Sequence, residues 1–283
     1  MNRLEIAENI LLVWACIAPH GGELIAELAG DSLPRMATTR KSMETLGERC
    51  RAANPDTIVV MTPHGEDVEG MISMMVCPHA LAYLDGENGV RVSSVFDVDM
   101  DVLEQIATQA TTLNVPIAFT GFDEDSRPQP LFVMDWGAYV PLWFMGANWN
   151  QKPKIVVLCI SRSTDRQRIL DFGTAIANAA TQSEKRIAVI CSADQGHGHD
   201  ADGPYGLSQG SEPYDTAYCD AVRDNDLGRM VNWDDGFIEL AFTDSYCQTL
   251  AMHGISQTSP LTPELLSYET PTYFGLACAE FRP

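Results

Sequence analysis

Residues 56–67 read DTIVVMTPHGED. The first seven form a nearly continuous apolar run of strand length where a half-exposed strand would alternate, so the segment reads as a strand buried on both faces. Pro63 restricts the residue before it to extended geometry, and Gly65 permits a tight reversal after His64. The run therefore ends by presenting one histidine at the carboxyl edge of a sheet. The same device stands at residues 16–23, CIAPHGGE, where the run LLVWACIA leads into Pro19, His20 and Gly21. Two further runs, KIVVLCI (154–160) and RIAVICSA (186–193), have the same character. The last passes into SADQGHGHDADGPYGL (192–207), with His197 and His199.

Between these runs, residues 41–53 and 165–182 have helical spacing and no internal proline. Buried strands alternating with helices describe an α/β fold, with a central, largely parallel or mixed β-sheet flanked by helices on both faces. No repeat, low-complexity tract or long linker divides the chain, so residues 1–283 are expected to form a single domain. Residues 71–98 read as further strand and loop inserted into the scheme, and PTYFGLACAEF (271–281) as a closing strand.

Composition excludes several function classes. Acidic residues number 39 against 18 basic ones, a formal charge of -21, and no Lys/Arg-rich segment could track phosphates. Nucleic acid is not an expected partner. The eight cysteines include no C-x-x-C pair, which reads as buried thiols in a reducing compartment, not a disulfide framework or a structural zinc site. ILLVWACIA (10–18) is too short to span a bilayer, and no basic region precedes a long apolar stretch. A cytoplasmic protein without membrane contact is expected.

In sheets of this type, groups that do chemistry collect at the carboxyl ends of strands. Three of the four buried runs deliver a histidine there. A restrained backbone before each imidazole and no side chain after it would let His20 and His64 approach one small ion. Two imidazoles leave the coordination incomplete, and residues 234–254, DDGFIELAFTDSYCQTLAMHG, read as one helix that supplies a carboxylate. Helical spacing puts Asp244 on a mostly apolar face with Phe237, Leu240, Ala241, Cys247, Gln248 and Ala251, where a carboxylate needs a cation or donors. Glu239 points about 140° away and reads as solvated. Two histidines and one carboxylate form the donor set associated with oxygen-activating non-haem Fe(II) enzymes, and zinc accepts the same ligands. His79 reads as a loop residue, and His253, before Gly254, as a cap at the end of the last helix.

Taken in order, His20, His64, DWGAYVPLWFM from Asp135, SADQGH ending in His197, and the Ala-x-x-acid pattern from Ala241 to Asp244 make the chain resemble the class III extradiol ring-cleaving dioxygenases. That superfamily holds the catalytic subunit of protocatechuate 4,5-dioxygenase and the Memo-like proteins. The resemblance covers nearly the whole chain. It implies an Fe(II) site with His20 and His64 as ligands, and Asp244 where the family usually has glutamate and the Memo-like branch has cysteine. It implies an acid–base role for His197, which suits a group that titrates near neutrality; His199 is assigned a structural hydrogen bond. Many relatives have Asp-His-Gly where this chain has Asp135-Trp136-Gly137, so Trp136 becomes an aromatic wall for a ring. Arg162, in ISRS after the third buried run, is the candidate for a substrate carboxylate, against a reading as a plain surface arginine. The implied activity opens a catechol-like or o-aminophenol-like ring with O2, in a homo-oligomer or beside a small second subunit. The competing expectations are a Memo-like metal-binding or scaffold protein without ring cleavage, and a zinc hydrolase built on the same ligands.

Overall fold

A computed structural model of the protein describes residues 11–121 and 130–283. Strand β1 (Leu12–Ala18) is followed by the short helix α1 (Ala26–Ala29), helix α2 (Ala37–Ala53) and β2 (Thr57–Thr62). Next come β3 (Ile72–Met75), β4 (His79–Asp85), β5 (Arg91–Asp97), helix α3 (Met100–Thr112), β6 (Ile117–Thr120) and β7 (Phe132–Val133). Helix α4 (Trp136–Leu142), β8 (Lys154–Ile160), α5 (Arg166–Gln182) and β9 (Ile187–Ser192) lead to α6 (Ser211–Arg223). Helices α7 (Asp235–Ala241) and α8 (Tyr246–Thr258) and strands β10 (Thr262–Glu269) and β11 (Leu276–Arg282) complete the order.

The four apolar runs are the parallel centre of a mixed sheet. Among the described residues it has eight strands in the order β10-β11-β1-β9-β2-β8-β3-β6. β1 pairs with β9, β9 with β2 and β2 with β8, all in parallel. β11 adds antiparallel to β1, and β3 antiparallel to β8. Side chains along a strand alternate between faces, and each central strand divides its residues between two cores accordingly. Ala15, Ile17, Val59, Met61, Val156 and Leu158 pack with α3, α5, α6 and α8 on one face. Trp14, Cys16, Ile58, Val60, Ile155 and Val157 pack with α2 and α4 on the other. Burial on both faces is why these runs carry no polar alternation.

Residues 71–98 divide. β3 joins the main sheet, whereas β4 and β5 form an antiparallel pair with β7 in a separate three-stranded sheet. Ala80, Ala82, Val92 and Phe96 of that sheet cover the α2/α4 core. His79 therefore opens a strand instead of lying in a loop, with Nδ1 3.0 Å from Asp97 Oδ1 at the surface. The closing strand is β11, and β10 before it is an additional strand.

The larger correction concerns residues 234–254. They form two helices, with Phe242 in the left-handed conformation (φ 52°, ψ 31°) closing α7. α8 then continues to Thr258, so His253 lies inside it and caps nothing. Gly254 is a packing position: a Cβ there would strike the Leu170 carbonyl oxygen of α5. All eight cysteines are buried, and none forms a disulfide. No helix among the described residues is long and apolar enough to cross a membrane.

Candidate metal centre

The strand order β1-β9-β2 places the carboxyl ends of three sequence runs side by side. His20 follows β1, Asp194 and His197 follow β9, and His64 follows β2. His20 Nε2 and His64 Nε2 lie 3.0 Å apart. Asp244 Oδ2 is 3.3 Å from the first and 3.4 Å from the second. One ligand atom from each of His20, His64 and Asp244 falls within 4.8 Å of the other two. Asp244 reaches this point from the four-residue break between α7 and α8, not from a helix face. Asp244 thus meets the two imidazoles, but through a loop and not through the helix face that its spacing predicted. Glu239 is exposed, as its spacing suggested.

Surrounding groups orient each ligand atom. Ser192 Oγ donates to the Gly137 carbonyl oxygen at 2.5 Å, so its lone pairs face His20 Nδ1, 2.9 Å away. That bond assigns the Nδ1–H tautomer to a neutral His20 and leaves the Nε2 lone pair toward His64 and Asp244. At β2, Thr62 Oγ1 accepts from the His64 backbone N–H (3.2 Å) and donates to Asp135 Oδ1 (2.6 Å). Asp135 Oδ1 also accepts the Ala138 N–H and so caps α4. The first residue of that helix, Trp136, stacks on His64 with ring centroids 4.2 Å apart and planes 25° from parallel. Gly137 is required here, because a Cβ would come within 2.6 Å of Thr62 Oγ1 and 3.1 Å of His64 Cδ2.

Asp194 is the member that sequence reasoning missed. Its Oδ1 accepts the His20 backbone N–H at 3.0 Å, its own N–H donates to Asp244 Oδ1 at 2.8 Å, and its Oδ2 lies 3.3 Å from His20 Nε2. The available signal was an acidic residue directly after a buried strand, inside SADQGH. Burial opposes a charge on His20, yet Asp194 and Asp244 outweigh it and raise its pKa to about 9. Burial also raises the Asp194 carboxyl. For Asp244 burial is outweighed by His20, His64 and His197, which hold it well below the usual carboxylate range. Two buried carboxylates facing two imidazole nitrogens form an acceptor set that a divalent cation satisfies.

His20, His64 and Asp194 floor a cleft of about 870 Å³ walled by Trp136, His197, Tyr205, Tyr273 and Phe274. His197 is buried, with Nε2 4.0 Å from Asp244 Oδ2, farther than the other two imidazoles. Its ring stacks on Phe274 (5.6 Å, 18°) and meets Tyr205 edge-on (5.5 Å), and its Nδ1 has no hydrogen-bond partner among the described residues. His199 Nε2 lies 2.8 Å from Asp215 Oδ2, a structural bond of the kind expected. Arg162 is not brought to this cleft. It is exposed and lines a second cavity of about 660 Å³, with Glu239, Phe242 and Cys247, bounded by Thr243 and Asp244.

A family model described as "Catalytic LigB subunit of aromatic ring-opening dioxygenase" matches residues 15–276. Protein CA_C1420 of Clostridium acetobutylicum is 23% identical over 260 residues, which cover 89% of this chain and 54% of that protein. The chain thus spans about half the length of this curated relative. The crystal structure of the uncharacterized protein JW3007 from Escherichia coli K12 has a similar fold, with a TM-score of 0.58 at 14% identity over 95% of this chain and 99% of that one.

Proposed function

This chain belongs to the family of the catalytic LigB subunit of aromatic ring-opening dioxygenase, and from that premise we propose that it is a non-haem Fe(II)-dependent extradiol dioxygenase. Its substrate is a catechol-like or o-aminophenol-like ring, opened with O2. The observation that carries the reading is the convergence of His20, His64 and Asp244 on one point, beside an aromatic-walled cleft that His20 and His64 line, with the buried His197 just outside that set.

Fe(II) held by the two imidazoles and the carboxylate supplies Lewis acidity toward adjacent ring heteroatoms and the redox capacity to use O2. The remaining work belongs to the chain. Trp136 and Phe274 confine the ring, and the cleft walls keep it oriented. His197 Nε2 accepts the proton of a ring hydroxyl and later returns it. Ser192 and Asp194 hold His20 by its ring and its backbone, so neither needs to touch substrate. A cytoplasmic location belongs to the same proposal and is supported by eight buried thiols without a disulfide. So does assembly as a homo-oligomer or with a small second subunit.

The test is anaerobic reconstitution with Fe(II), followed by exposure of a catechol and o-aminophenol panel to air. A yellow ring-opened product that requires iron supports the reading. A fully iron-loaded protein that opens none of these rings refutes it and leaves a scaffold role or zinc-dependent hydrolysis.

A further inference from the structure

The loop that carries His197 is held at every backbone N–H from residue 195 to 199. Gln195 N donates to Gly275 O (2.8 Å), His197 N to Ala241 O (2.9 Å) and His199 N to Tyr273 O (3.0 Å). Gly198 N donates to Ser211 Oγ (2.9 Å), and Gly196 N to Asp215 Oδ1 (2.7 Å). Asp215 also holds side-chain groups. Its other oxygen accepts the Tyr268 hydroxyl at 2.6 Å and lies 2.8 Å from His199 Nε2. One carboxylate on α6 therefore grips the chain on both sides of His197, with a brace from β10.

Asp215 is 1% exposed, and its ion-pair partner among the described residues is His199. A carboxylate is costly to bury, and stability alone is often served as well by apolar packing. What the carboxylate provides here is direction, because its bonds point at one loop. The same group also bears on the turn that carries Phe274, the ring stacked on His197. Gly275 N donates to Gly196 O at 2.9 Å, and a Cβ on Gly275 would strike Asp215 Oδ2. We propose that Asp215, braced by Tyr268 and His199, is a positioning residue that sets the His197 imidazole against the substrate. It touches neither the metal ligands nor the ring. This inference rests on the acid–base reading of His197, since a misplacement of about 1 Å in such a group costs about 10²-fold in rate.

Asp215→Asn keeps the size but replaces one acceptor oxygen by an amide NH2, set either against the Gly196 N–H or against the Tyr268 hydroxyl and His199 Nε2, and Tyr268→Phe removes the brace at a part-exposed position. Both are examined in the iron-loaded protein with all 283 residues and, for spectroscopy, with Zn(II) in place of iron. Asp215→Asn is expected to keep its iron and a KM within about threefold, to lose about 10–100-fold in kcat per iron as outer groups of metal sites do, and to displace the limb of the pH–kcat profile that depends on His197. Tyr268→Phe should lose less, in the same direction. In the Zn(II) form, the ¹⁵N ring signals of His197 should shift or broaden in both variants while those of His20 and His64 stay in place. If Asp215→Asn does not fold, Tyr268→Phe carries the test. A lower melting temperature with kcat, pH profile and His197 signals unchanged would make Asp215 a purely structural residue and overturn the proposal, as would loss of iron. The ring signals are read without turnover, so failure of the dioxygenase reading and failure of this one give different results.

Discussion

His20 Nε2 and His64 Nε2 face each other at 3.0 Å, with their rings edge to face at 86°, although 44 residues separate them in the chain. Two imidazole lone pairs at that distance repel unless a proton or a cation lies between them. Asp244 completes the triangle, so the cluster is built for positive charge.

Removing either imidazole opens that triangle. His20→Ala or His64→Ala is expected to lose most bound iron, measured by metal analysis of the purified protein. His20→Ala should also be the less stable variant, by about 3 kcal/mol, because it leaves Asp194 and Asp244 buried without their partner. His64, about a quarter exposed at its side chain, should cost less. Full iron occupancy in either variant would falsify the ligand assignment.

Asp244→Ala is expected to abolish iron retention and to strip the Asp194 N–H of its acceptor. Glu239→Ala, at an exposed position on the far side of the break, should leave iron and turnover within twofold, roughly the range of a neutral surface change. The opposite pattern would move the third ligand to Glu239.

His197→Phe preserves the stack on Phe274 and should preserve iron binding, since its Nε2 stands 4.0 Å from Asp244 Oδ2. The expected loss in kcat is about 10²–10⁴-fold, the usual effect of removing an acid–base group. Iron loss in this variant would show a ligand; unchanged turnover would show a bystander.

Trp136 and Arg162 should separate cleanly. Trp136→Ala removes the wall stacked on His64 and is expected to raise KM about 3–10-fold, the worth of one aromatic contact. Arg162→Gln should leave KM unchanged for a carboxylated and an uncarboxylated catechol alike, because Arg162 faces the other cavity. A selective KM rise for the carboxylated ring would place Arg162 at the substrate after all.

The metal-free protein should lose stability as pH rises from 6.5 to 9. His20 titrates near 9 in the folded chain against an ordinary value of 6.5, so between these limits the native state holds a proton that the unfolded state has released. The contribution is fully present below 6.5 and fades through 9, by at most about 1.4 kcal/mol per pH unit. The depressed Asp244 carboxyl acts only in the acid range and does not enter this window. Urea midpoints across the window, with and without Zn(II), are the measurement. The decline should vanish when metal replaces the proton at Nε2, and a flat metal-free curve would count against the buried His20–carboxylate cluster.

The four central strands, the two Pro-His-Gly ends and the helices over 41–53 and 165–182 were legible in the sequence, because burial on both faces, proline restraint and helical spacing are written in neighbouring residues. Helical spacing singled out Asp244, the fourth run delivered His197 to the same edge, and the family resemblance added the acid–base role of His197. Other features depended on contacts between distant segments. The order β1-β9-β2 decides that His20, the His197 loop and His64 share one edge, and it arises from pairings such as Cys16 with Ile190 that no local pattern records. Phe242 breaks residues 234–254 with a left-handed backbone that bulky residues adopt at a cost, and the periodicity on either side gives no sign of it. Asp194 and Ser192 stood inside a motif already quoted, yet their roles depend on which atoms approach them from β1 and α4. Arg162 shows the converse: its place just after a buried strand left a substrate role open beside a surface one, and the fold puts it, exposed, on the other side of Asp244. Spacing along the chain can put a side chain at a sheet edge, but the cavity it enters is set by the direction of the next element and by what packs against it.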